Sequence, residues 1–266
     1  MKRILPILPS ALTLFAALLM LMHGPIAQLA HYHEFADQRT LFGLPNALDV
    51  LSNLGFLLLG AWAFGRLRPH SASPALRASW PGYQVMFAAM MLVGLGSSYY
   101  HLLPDNARLM WDRLPIALLC AGLLTAVRAE TRPGVNTAAT LGFLLLWALA
   151  AVFWWQWTDA HGNGDLRPYL LLQCLPLVLI PLWQAAYGAP RADRVAFGLA
   201  MLVYVLAKLA ELNDHAIFAA SGLISGHSLK HLLAVAALGL IVARLVARTQ
   251  GSCVLTYDGT RLYTAG

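Results

Sequence analysis

The sequence predicts an all-α polytopic transmembrane helix bundle, a seven-helix core with an extra helix at the N-terminus, and three observations carry that reading. Of 266 residues, 59% are hydrophobic and only 11% charged, with mean hydropathy +0.63. A soluble domain carries about 25% charged residues, so this chain has too few to clothe a water-facing surface. Disorder, a collagen-like fibre and a soluble enzyme are thereby excluded. Apolar runs fall at 4–22, 46–65, 83–102, 113–128, 138–157, 169–187, 194–213 and 228–247. Each approaches the roughly 20 residues that cross about 30 Å of hydrocarbon at 1.5 Å per residue. No period-2 alternation occurs in them, so a β-barrel is disfavoured and backbone satisfaction in lipid leaves helices.

The first run follows Met1-Lys2-Arg3 and lacks a small-x-small cleavage site. Residues 1–30 therefore read as a transmembrane helix or signal anchor rather than a cleaved leader. The second run begins with Asn46, Asp49 and Asn53, a polar stripe at i, i+3 and i+7. The third ends Gly94-Leu95-Gly96-Ser97-Ser98-Tyr99-Tyr100-His101, and Asp112 opens the fourth eleven residues later. Arg66–Ser79 reads as a flexible connection and Thr158–Pro168, with Gly162 and Gly164, as a turn. The seventh run ends with Lys208, Glu211 and Asp214, and the last opens Gly226-His227-Ser228-Leu229-Lys230-His231. Residues 31–250 form the membrane domain and 251–266 a solvated cytoplasmic tail. Cys120 and Cys174 lie within runs and Cys253 in the tail, a pattern of small buried hydrophobes rather than disulfides.

Lys and Arg set orientation. With a cytoplasmic N-terminus, one side receives 12 of the 18 basic residues, from Lys2 and Arg3 to Arg248 and Arg261. The other receives 6: Arg39, Arg108, Arg113, Arg167, Lys208 and Lys230. The +6 net charge is thus an orientation signal scattered over short loops, and no nucleic-acid partner is expected. The C-terminus is expected in the cytoplasm of a bacterial inner-membrane protein.

Ionisable groups in a membrane helix cost about 2.5–3.5 kcal/mol on insertion scales, so they usually face the bundle interior and act there. Ser97 and His101 are four apart, as are His227 and His231, so each pair shares a helical face. The third span ends where the fourth and the last begin, at the outer surface, which puts three His, one Asp and one Ser at one depth. Zn²⁺ takes three imidazoles at about 2.0–2.1 Å and keeps a fourth position for water. His101, His227 and His231 are the expected ligands. Zinc lowers the pKa of bound water to about 7, Asp112 is the expected general base, and Ser97 the group that steadies the oxyanion. His23, His31, His33, His161 and His215 read as surface residues. Asn46, Asp49, Ser52 and Asn53, with Lys208, Glu211 and Asp214, read as an interhelical packing network, for example Lys208 with Asp49 or Glu211. An oxygen-rich cation site completed by Glu34 or Asp37 is the competing reading.

Gly94-Leu95-Gly96-Ser97-x-x-x-His101, Asp112-Arg113-Leu114-Pro115 and His227-x-x-x-His231 together resemble the alkaline ceramidase family, within a superfamily of seven-helix membrane hydrolases that includes the adiponectin receptors. Asp49-Val50-Leu51-Ser52-Asn53-Leu54 is similar to that family's first core helix, and the likeness spans about residues 46–247. It implies a zinc-dependent hydrolase cleaving the amide of ceramide or another N-acyl lipid to a fatty acid and a long-chain amine. It also implies His101, His227 and His231 as zinc ligands, with Asp112 and Ser97 at the water. Eukaryotic members bind calcium through an acidic N-terminal segment; here that stretch reads Glu34-Phe35-Ala36-Asp37-Gln38-Arg39, with Asn46 where an acid is expected, which counts against Ca²⁺. The short loops resemble bacterial members. Ester cleavage is a variant the residues do not separate. A metal-binding transporter or receptor-like protein without hydrolase activity is the rival from another class, although no repeated halves and no broken mid-membrane helix are legible.

Overall fold

The computed structural model describes residues 7–250, 255–258 and 261–264. Helix α1 spans Leu8–His23, α2 Ala47–Leu51, α3 Leu54–Leu67, α4 Trp80–Leu102, α5 Asn106–Thr131 and α6 Thr137–Ala160. Helix α7 spans Arg167–Ala186, α8 Arg191–Leu212, α9 Asp214–Ser221 and α10 Gly226–Gln250. Seven segments are long and apolar enough to cross a membrane, with α2 and α3 together making the first, Ala47–His70. This is the expected all-α bundle of a multi-pass membrane protein. Helix α1, at 16 residues, is shorter than the spans; it packs on α7, and Arg167 donates to the Met20 carbonyl at 3.2 Å. The start of the first expected run, 4–6, lies outside the described residues, as does Cys253.

Three local features differ from expectation. The first core span is interrupted at Ser52–Asn53, so its polar stripe sits on a five-residue helix followed by a break. Between residues 251 and 266, where a plain tail is expected, Leu255–Asp258 (β1) and Arg261–Thr264 (β2) pair antiparallel. Cys174 is exposed rather than buried.

The closest helix pair is α4 with α5. Pro115 has no N–H, which frees the Trp111 carbonyl four residues earlier from the helical ladder. That oxygen faces Gly96 of α4, where an added Cβ would lie only 2.0 Å from it. Glycine is therefore required beside Ser97, and the freed carbonyl is the reason the helices meet there. Gly226 plays the same part at the start of α10, where a Cβ would lie 2.1 Å from the Ala210 carbonyl of α8. Small residues thus let backbones approach in lipid, where burial of side chains against one another gains little.

Residues 24–46 run across the end of the bundle where α4 ends and α5 and α10 begin. The chain is tied there at both flanks: Leu166 N–H donates to the Ile26 carbonyl at 2.8 Å, and Ala36 N–H to Asp214 Oδ2 at 2.9 Å. The boundary expected at residue 30 falls inside this continuous cover. Asp37 binds the Arg39 guanidinium, which reaches the Leu223 carbonyl at 2.7 Å. That ion pair holds the Asp37 carboxyl below its usual range.

Candidate metal centre

His101 leaves the last turn of α4, while His227 and His231 leave the first two turns of α10. Ligand-capable atoms of all three lie within 4.8 Å of one another, and each residue is at least 95% buried. The i, i+4 spacing on α10 supplies two rings on one face; the C-terminal turn of α4 supplies the third. His227 Nε2 and His101 Nε2 are 3.2 Å apart.

Hydrogen bonds around the rings decide which nitrogens face inward. Ser52 donates to the Asp49 carbonyl at 3.1 Å, so its oxygen accepts from His231 Nδ1 at 2.8 Å. The Nε2 lone pair of His231 is left toward the cluster, as metal-binding histidines require. The break between α2 and α3 is what presents Ser52 to His231. Lys230 donates to His227 Nε2 at 3.0 Å, so a cationic group already sits at that lone pair. His101 Nδ1 is buried with no hydrogen-bond partner among the described residues. Three imidazoles with ligand-capable atoms this close would suit a divalent ion of zinc type, and His231 also lines the cavity below.

Asp112 and Ser97, both buried, face each other across the α4–α5 contact that Gly96 permits. They and His231 line one cavity of about 430 Å³. Its wall continues through Phe56, Leu123, Phe197, Tyr204 and Leu238 to Ile241, so it is apolar for most of its length. From His231 to Ile241 is ten residues of helix, about 15 Å at 1.5 Å per residue. The lining is largely apolar and takes in the polar groups named above.

All five residues expected at the site therefore share one place. The structure brings others to it: Phe35, which carried no sequence signal, and polar residues that were expected only to pack. Phe35, from the cover, packs with ring centroids 4.7 Å from His101 and 4.4 Å from His227. Asp214 Oδ1 accepts from His227 N–H at 2.7 Å while its other oxygen holds Ala36, so one carboxylate fixes both α10 and the cover. Asn46 donates to the His101 carbonyl at 2.8 Å. Lys208 and Lys230 both pair with Glu211.

In the second polar cluster Lys208 takes Glu211, one of its two expected partners, whereas Asp49 pairs elsewhere. Asp49 is fully buried and accepts from Ser228 at 2.6 Å and Ser225 at 3.2 Å. Glu34 pairs with His31, at the exposed edge of the cover. Of the five histidines expected at the surface, His33 is half-buried: it donates to Asn106 Oδ1 and accepts from the Tyr100 hydroxyl, each at 2.8 Å. No protein-family model and no curated protein matches the chain.

Proposed function

We propose that the protein is a zinc-dependent intramembrane hydrolase that cleaves an N-acyl lipid at its amide bond. One observation carries the reading: three buried histidines are clustered, and one of them, His231, lines a largely apolar cavity together with a buried carboxylate and hydroxyl. Zinc held by His101, His227 and His231 would supply a polarised water with pKa near 7 and a Lewis acid for the carbonyl. Every other part is done by side chains. The apolar part of the cavity takes the acyl chain and so sets the amide among the polar groups. Asp112 accepts a proton from the water and returns it to the leaving nitrogen, the two-way use that hydrolysis demands of one group. Ser97 donates toward the carbonyl oxygen as charge develops there. Phe35 and the cover exclude bulk water, which strengthens each of these interactions.

The net change is balanced: the amide C–N bond and one water O–H bond break, a C–O bond forms, and the nitrogen gains the proton. The likeness to alkaline ceramidases supports the amide class. The basic-residue distribution supports a site at the outer face with the C-terminus in the cytoplasm.

The deciding experiment pairs metal content with turnover. Purified wild type should carry about one zinc per chain and release fatty acid from N-acyl lipids. Asp112→Asn should keep the zinc and lose 10²-fold or more in turnover, the usual scale of general-base loss. Full activity in that variant removes Asp112 from the chemistry; zinc-free wild type that takes up none on reconstitution ends the reading.

A further inference from the structure

Arg113 follows Asp112 on α5, is 3% exposed and lines the same cavity. Among the described residues it pairs with no carboxylate. Its Nη2 donates to Gln28 Oε1 at 2.8 Å, and its buried Nη1 has no hydrogen-bond partner. The cavity is lined by three cations, Arg113, Lys208 and Lys230, and by two carboxylates, Asp112 and Glu211. Glu211 takes both Lys208 and Lys230, and Asp112 lies against Ser97. One positive charge is therefore left over in a low-dielectric space.

Such a charge is expensive unless something compensates it. Aromatic faces do part of this: the guanidinium carbon lies 4.0 Å from the Trp155 ring centroid, 5.3 Å from Tyr32 and 5.7 Å from Tyr169. Stacking of that kind fixes the plane of the group and leaves its edge free for in-plane acceptors. The acceptor that suits a planar fork is a planar anion, a carboxylate. A phosphate monoester, with about two negative charges, would exceed the single positive charge left over among the cavity's three cations and two carboxylates.

We infer that Arg113 selects the substrate by binding a carboxylate on the amine side of the scissile amide, so that the preferred lipid is an N-acyl amino acid. This rests on the amide-hydrolase reading. Asp112 and Arg113 are consecutive on α5 and both line the cavity, so one bound molecule can meet the proton carrier and the carboxylate binder. The acyl chain fills the apolar part of the cavity, the amide lies at Asp112 and Ser97, and the carboxylate of the departing amino acid meets Arg113. A neutral head group would leave the guanidinium uncompensated.

The test uses the full chain in detergent with N-oleoylglycine and its neutral analogue N-oleoylethanolamine. Wild type should favour the acid in kcat/KM by on the order of tenfold to hundredfold, mostly through KM. Arg113→Gln should erase the preference, and Arg113→Lys should restore part of it. A second readout needs no turnover: in metal-stripped protein, calorimetric affinity should be higher for the acid by a similar factor, and equal for the two in Arg113→Gln. If that variant does not fold, the wild-type comparison decides alone. Equal kcat/KM and equal affinity for the two lipids overturn the assignment while leaving the hydrolase reading intact. A carboxylate preference in binding without hydrolysis of either lipid sinks the hydrolase reading and keeps the Arg113 anion site.

Discussion

At the scale of single residues, the histidines are chosen by spacing but aimed by their neighbours. His231 faces inward because Ser52, itself committed to the Asp49 carbonyl, can only accept at Nδ1. Ser52→Ala should therefore weaken zinc binding by roughly 10–100-fold, the usual effect of losing such a partner, with the fold intact; competition against a chromophoric chelator measures it. His227→Ala or His231→Ala should lose the ion outright, and elemental analysis showing unchanged zinc would remove those residues as ligands. His101, His227, His231, Ser97 and Asp112 were legible because helical periodicity turns spacing into direction. Ser52, Phe35 and Arg113 were not, since their partners lie 179, 66 and 42 positions away in His231, His101 and Trp155, and no local pattern links them.

Single helices in this chain are legible from their apolar length, yet their defects do the positioning. The missing N–H of Pro115 and the missing Cβ of Gly96 make one joint between α5 and α4. Gly96→Ala places a methyl 2.0 Å from a carbonyl oxygen that cannot retreat into a hydrogen bond. The helices must part, which costs about 1–3 kcal/mol as overpacking does, and Ser97 and Asp112 part with them. Thermal unfolding in detergent should show the loss of stability, together with loss of turnover; an unaltered melt and unaltered turnover would show the joint to be pliable. Apolar run length cannot reveal the break at Ser52–Asn53, because hydropathy reads the sum of side chains and not the backbone.

Across the whole molecule, seven spans put the two ends of the core on opposite sides of the bilayer, and the cover lies on the end that holds the histidines. A tag at the C-terminus should be reachable only from the cytoplasmic side; labelling from outside would reverse the sidedness read from the basic residues. The cover also depends on pH. Arg39 holds the Asp37 carboxyl below its usual range, so this clamp contributes fully above the unfolded carboxylate value, about 4. Its contribution is lost as pH falls through the lower folded value. Between pH 6 and acid, proteolysis within residues 24–46 should increase in wild type, while Arg39→Gln should show raised cleavage already at pH 6. Equal cleavage of the two proteins at pH 6 would deny the clamp.

Amino-acid order by itself determined the membrane solvent, the seven core spans and the faces on which five polar residues stand, because hydrophobic length and helical pitch are properties of a segment alone. Which faces meet was decided only in three dimensions. Convergence of the three imidazoles, the packing of Phe35 on them and the aromatic surroundings of Arg113 each join segments remote in the chain, and the close approaches at Gly96 and Gly226 come from missing atoms that hydropathy does not weigh.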